Sequence, residues 1–394
     1  SIAQGTPIFS PDSKQIAYKA KNGIKWLIVN NSKEQKRYDN VSVPMFSHDS
    51  RHMMYVAEEG GRYFVVLDGK EQKNYDGVPQ KSNMRFSEDS KRHAYGAIKG
   101  RKMVVVVDGE EGREYDQVSY PIFSPDSKQV VYPAIRDGKW FIIHDGKEKP
   151  EYDMVGAFRF SPDSSRFAYS AKLGDKAFMV VDGKEGPKFT NVAAPIFSPD
   201  SKQVSYLAID GDNMRMVMDG KVGDKYDEIR DLCFSPDSSH TILTVKKDGK
   251  WSAIVDGKRG AMYDEIFMPV YSPDSKHYAY IATKDGSWIM VYDGKDGEGY
   301  DFITIAQFSA DSRRMIYMAK KDEKWMVVTD GKESRKYDGV ALPVFSPDSK
   351  RIAFAATIAK QWFVVVDGVE GKEKFPGFMK DSDLRFDSNN SFHV

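Results

Sequence analysis

Phe123-Ser124-Pro125-Asp126-Ser127-Lys128 opens the stretch that decides the fold of this chain. Pro121-Ile122-Phe123-Ser124 reads as a short apolar strand, stopped by the turn-forming residues Pro125-Asp126-Ser127. Lys128 to Ala134 (Lys-Gln-Val-Val-Tyr-Pro-Ala) reads as a second strand. Arg136-Asp137-Gly138-Lys139 then supplies a hairpin turn into a third, Trp140 to His144. Asp145-Gly146 ends that strand with a tight two-residue turn, since glycine tolerates positive φ. A fourth, more polar strand runs towards Tyr152-Asp153, and a loop leads into the next segment. Four antiparallel strands in 37 residues, without helical periodicity, describe one blade of a β-propeller.

The phrase recurs along the whole chain. Its opening aromatic falls at Phe9, Phe46, Phe86, Phe123, Phe160, Phe197, Phe234, Tyr271, Phe308 and Phe345, with an incomplete eleventh copy at Phe386. Eight of the ten intervals are 37 residues and the others are 40 and 41. So strict a period marks one supersecondary unit that buries its faces against its neighbours. The copies begin near residues 6, 43, 83, 120, 157, 194, 231, 268, 305 and 342, with the partial one from 383, and are expected to form one large all-β propeller spanning 1–394. The extra residues near Val78 to Met84 and near Phe375 to Leu384 both precede an Arg-Phe pair, so two rings with a break near 79–85 are the alternative.

Registers within the repeat support buried blades. Nine residues after the opening aromatic stands Tyr in eight copies, with Leu243 and Phe354 in the other two. Two residues further on comes Ala in nine copies and Val245 in the tenth, a large-then-small alternation that lets sheet faces interdigitate. All six tryptophans, Trp26, Trp140, Trp251, Trp288, Trp325 and Trp362, share one register, which reads as packing between blades. The recurrent Asp-Gly pairs read as turns spread over the blades rather than as metal ligands.

Composition bounds the function. Hydrophobic residues are 40% and charged residues 29% of 394, and no apolar run is long enough to cross a bilayer. Lys+Arg and Asp+Glu balance at 58 each, which removes the global field expected of a nucleic-acid binder. Cys233, the single cysteine, stands where other copies carry Ile or Val and reads as a small hydrophobe, not a reactive thiol. No signal peptide is visible at Ser1-Ile2-Ala3.

The phrase Phe-Ser-Pro-Asp-Ser-Lys, followed by a strand of the Ala-Tyr type, resembles the repeat of TolB-type, WD-like bacterial propellers. Their hallmark is Phe-Ser-Pro-Asp-Gly followed by a strand of the Ala-Phe/Tyr type. Ser replaces the hallmark Gly throughout, His48, Glu88 and Ala310 replace the Pro, and the Gly-His and Trp-Asp pairs of true WD repeats are absent. The resemblance implies that the first strand of each repeat lines a central channel and the fourth lies outermost. It further implies a periplasmic or secreted setting and a role in protein contacts. Related propellers also cap peptidases of the prolyl oligopeptidase type, but no hydrolase domain is present in this sequence.

Catalytic signatures are missing: there is no Gly-x-Ser-x-Gly elbow, His-Glu-x-x-His, phosphate-cradling Gly loop or Cys-x-x-Cys. The seven histidines form no evident cluster, Asp210-Gly211-Asp212-Asn213 reads as a polar hairpin tip, and Asp293 to Asp301 lacks calcium-loop spacing. No cofactor or metal is called for. Departures from the repeat are more informative. The residue before the opening aromatic, apolar in most copies, becomes Arg85, Arg159, Arg385, Gln307 and Cys233, and the preceding loop carries Asp231 and Asp383. Two readings compete: a polar channel mouth binding an anionic or peptide ligand, or structural Arg–Asp pairing between uneven blades. The expectation is a non-catalytic binding or scaffold propeller that meets a protein, peptide or glycan through loops at one end. A hydrolase- or lyase-type enzyme with a site at the channel mouth is the alternative, and a structural module of a larger chain is a third reading.

Overall fold

The turns and strands form where the repeat places them. The computed structural model describes residues 7–79, 84–304, 306–376, 384–389 and 391–393. In the fourth copy the second strand is Val130–Arg136, the third Lys139–His144 and the fourth Lys147–Glu148, hydrogen-bonded in that order. Asp137 and Gly138, like Asp145 and Gly146, both adopt positive φ, the two-residue geometry whose twist matches the flanking strands. Val130 to Ala134 are buried on both faces, as expected for a strand sandwiched between sheets.

The loop expected ahead of the first strand is itself partly strand. Gln117–Val118 pairs with Ile135 and Ala134, and Ile122–Phe123 then pairs with Val131 and Val130. In the fifth, seventh, eighth and tenth copies the two pieces join into one seven-residue strand with a register shift, as between Val155 and Phe158. A bulge there re-aims the strand without ending its pairing.

Ten sheets of this kind follow one another among the described residues, and a two-stranded piece, Arg385–Phe386 with Phe392–His393, represents the eleventh copy. The protein is thus an all-β propeller chain of four-stranded antiparallel blades. Its contacts divide it into two compact units, Ser1–Phe197 with Val204–Ala208, and Ser198–Gln203 with Ile209–Val394. Within the first unit, Tyr38 packs edge-on against Tyr55 and Phe64 of the next copy. Within the second, Tyr337 packs in the same way against Phe354 and Phe363. Trp251 is fully buried and the other five tryptophans are half-buried. Among the described residues no helix is long and apolar enough to cross a membrane.

A candidate ligand cavity between two repeats

Most polar residues of the repeat hold the blades together. In the third copy Ser87 Oγ donates to Asp89 Oδ1 at 2.7 Å and accepts from the Arg92 amide at 3.0 Å. The Asp89 amide donates to Ser127 Oγ, the second serine of the following copy, at 3.0 Å. The same link joins Asp12 to Ser50, Asp49 to Ser90, Asp126 to Ser164, Asp237 to Ser275 and Asp274 to Ser312. At the end of the series Asp348 donates to Asn389 Oδ1 at 3.1 Å, so the partial eleventh copy keeps the link with a different side chain. These second serines sit at φ of 62 to 67°, the left-handed region. That explains why the resembled hallmark has Gly there: Ser tolerates the strain because its hydroxyl clips two blades.

The two other recurrent aspartates are structural as well. Asp68 of an Asp-Gly turn caps the Met53 amide with Oδ1 and takes His52 Nδ1 at 2.7 Å on Oδ2; Arg92 with Asp108 and Arg351 with Asp367 repeat the arrangement. Asp39 of Tyr38-Asp39 accepts from Lys25 Nζ at 2.7 Å and from the Gly60 amide of the next copy at 2.8 Å. Among the described residues no group of three or more His, Cys, Asp or Glu is placed to hold a metal.

Arg85, Arg159, Arg385 and Gln307 all occupy the same place in the first strand, opposite Ala94, Ala168, His393 and Ile316. Arg85 is half-buried, donates to the Met84 carbonyl at 3.0 Å and lies 5.6 Å from the Tyr120 ring centroid. Arg159, Arg385 and Gln307 are exposed. None of the three arginines makes an ion pair with a described residue. Asp231 sits in a bulge, where its amide donates to Thr244 Oγ1 at 2.9 Å and its carboxylate accepts from the same hydroxyl at 3.3 Å. Asp383 lies outside the described residues. The described members of this set are not joined to one another by a hydrogen bond or ion pair.

The marked departure lies one copy boundary away, inside the second unit. In an ordinary joint Tyr115 is buried, with Tyr132 of the next copy in the same apolar cluster, and donates its hydroxyl to Glu148 Oε1 at 2.8 Å. Arg136 and Arg113 neutralise that carboxylate at 2.6 and 2.9 Å, and the Arg136 bonds above all hold its pKa down to about 2. Burial pushes the Tyr132 hydroxyl up to about 12. Three repeats later the corresponding residues are Tyr226, Leu243 and Arg259. A cavity of about 370 Å³ lies between the two sheets, with Leu243 on its wall where most copies carry tyrosine. Met216, Met218, Tyr226, Leu232, Leu243 and Ile254 line it, with exposed Lys221 and Asp224 also on its wall. Ile254 is half-buried, whereas its counterpart Ile143 is 1% exposed, so the opening reaches into what is core elsewhere. A similar notch of about 380 Å³ two repeats on keeps Tyr317 and is walled by Lys295, Asp296, Arg313, Arg314 and Asp330. The two differ at one register, Leu243 in the first and Tyr317 in the second. Leu243 is visible in the sequence as the single non-aromatic residue at its register; Tyr226 and Arg259 become meaningful only with it.

No protein-family model matches this sequence, and no curated protein matches it. Among solved structures, a eukaryotic initiation factor is similar at 11% identity, over 82% of this chain and 96% of that one, with a TM-score of 0.38. TolB from Acinetobacter baumannii is similar at 16% identity over 57% and 67%, with a TM-score of 0.27. The β-propeller domain of the Trilobed protease from Pyrococcus furiosus is similar at 13% identity over 65% and 94%, with a TM-score of 0.29.

Proposed function

We propose that this chain is a non-catalytic binding propeller and that the cavity beside Leu243 is a ligand seat. The observation that carries the proposal is the coincidence at one joint of a cavity beside the leucine that replaces an aromatic ring, a retained buried tyrosine, and a cation where most other copies place a carboxylate. Its volume falls in the range of small-ligand sites, which are mostly apolar with a few placed polar groups. Of the protein, peptide and glycan partners expected from the repeat, the apolar wall suits an apolar group better than a glycan. Nothing in the wall resembles a nucleophile held by a base, so the hydrolase or lyase reading gains no support from this site. A periplasmic or secreted setting follows from the resemblance of the repeat alone.

Saturation-transfer NMR with indole and benzene tests the seat. Both should bind the wild-type chain and lose binding in Leu243→Tyr, which restores the residue of the neighbouring copies. Equal binding by the two proteins overturns the proposal.

A further inference from the structure

We infer that the ligand of this cavity is an apolar group carrying a carboxylate, seated between the Tyr226 hydroxyl and the Arg259 guanidinium. The inference rests on the binding reading above and adds the chemistry of the head group. At three joints the tyrosine hydroxyl donates to an acid of the following copy: Tyr38 to Glu71 at 3.0 Å, Tyr115 to Glu148 at 2.8 Å and Tyr263 to Asp296 at 2.5 Å. Each of those acids in turn has a basic partner: Lys36, Arg136 and Lys284 respectively. Tyr226 is only 6% exposed, yet its hydroxyl has no hydrogen-bond partner among the described residues.

Arg259 occupies the place of the missing acid. Its guanidinium lies 5.6 Å from the Tyr226 ring centroid, is exposed, and makes no ion pair with a described residue. Lys258 beside it and Lys221 on the cavity wall are exposed too. Tyr226 lines the cavity with its hydroxyl free to meet a ligand acceptor, and a guanidinium is shaped to receive a carboxylate. An incoming carboxylate would therefore take the role Glu148 plays elsewhere, accepting from the tyrosine and pairing with the arginine, while its apolar tail occupies the volume left by Leu243. The acid can be a free small acid or the C-terminus of a peptide ending in an apolar residue.

Calorimetry with 3-phenylpropionate, octanoate and the matching uncharged amides separates the claims. The acids should bind the wild-type chain about tenfold more tightly than the amides, the size expected for one charge-assisted hydrogen bond. Arg259→Glu should abolish that preference while amide binding persists, and Tyr226→Phe should reduce it. Leu243→Tyr should remove binding of both. Acid and amide binding equally, with Arg259→Glu unchanged, overturns the carboxylate assignment and leaves the cavity reading standing. Failure of all four probes, or binding that survives Leu243→Tyr, overturns both. A hexapeptide ending in Leu, with free and with amidated C-terminus, distinguishes the sources: preference for the free terminus beyond that for octanoate assigns a peptide, and the reverse assigns a small acid. Circular dichroism of each variant confirms that it is folded.

Discussion

Replacing Ser127 by Ala and by Gly separates two accounts of the motif that dominates this sequence. If the second serine served only the turn, Gly would be the better residue at a φ of 65° and Ala would match Ser. The structure also makes it a clip between copies. Ser127 is 2% exposed, and its Oγ receives the Asp89 amide of the preceding copy at 3.0 Å. Asp89 itself is exposed, so water reaches the amide once the hydroxyl is gone and the loss stays near the low end, about 1 kcal/mol. Ala keeps the left-handed strain and loses the bond, so Ser127→Ala should cost about 1 kcal/mol. Gly loses the same bond but relieves roughly 1 kcal/mol of strain, so Ser127→Gly should be close to neutral. Repeat arrays need not unfold in one step, so the measurement should be local. Amide hydrogen exchange at Asp89 should accelerate in both variants, while urea unfolding followed by segment-resolved exchange should rank Ser, Gly and Ala from most to least stable. A Gly variant as unstable as the Ala variant, or unchanged exchange at Asp89, would refute the clip.

Leu243→Tyr combined with Arg259→Glu rebuilds the ordinary joint, and should raise stability by about 1–3 kcal/mol through cavity filling and one restored hydrogen bond; denaturant unfolding of the region around Tyr226 checks it. Glu148 is held down to about 2 chiefly by Arg136, so its stabilisation is complete above the ordinary carboxylate value of 4.5 and disappears as pH falls towards 2. Arg136→Met should move the Glu148 carboxyl resonance midpoint upward in a pH titration and flatten that acid-side loss. Burial first, and the nearby Asp231 charge second, push the Cys233 thiol up, so its alkylation at neutral pH should be slower than that of a free thiol and should accelerate in Asp231→Asn. Arg85→Met with Arg159→Met should leave segment stability within about 0.5 kcal/mol, because neither arginine pairs with an acid among the described residues; a larger loss in unfolding would restore structural pairing as their role.

The blade is legible in the sequence because its signals are local. Asp145-Gly146 demands positive φ whatever surrounds it, and the alternation from Val130 to Ala134 needs only a buried sheet to satisfy it. The clips are not legible, because each joins side chain and backbone about 37 residues apart, as Ser127 joins Asp89. The paired segment Gln117–Val118 reads as loop for a related reason: its strand character comes from the bulge that follows, not from its own residues. Arg85 and Arg159 stand out by type, yet the structure gives Arg85 a carbonyl and an aromatic ring and leaves Arg159 exposed.

Across successive copies the three registers of Tyr226, Leu243 and Arg259 change in a telling order. Tyr115, Tyr132 and Glu148 form the complete set, a buried phenol with its acid. Two repeats on, the residues are Phe189, Tyr206 and Val222: the first hydroxyl and the carboxylate have vanished from the sequence together. In the next set, Tyr226, Leu243 and Arg259, the acid is replaced by a base while the phenol is kept and the filling ring is lost. The Tyr226 hydroxyl faces the cavity and has no partner among the described residues, so Phe at 226 removes no bond within the fold and costs little in packing. Tyr226→Phe should accordingly leave stability within about 0.5 kcal/mol in the absence of ligand while weakening acid binding. Weaker acid binding at unchanged stability is what a retained ligand contact requires, and a Phe variant that is clearly less stable than wild type would mean that Tyr226 already has its partner within the fold.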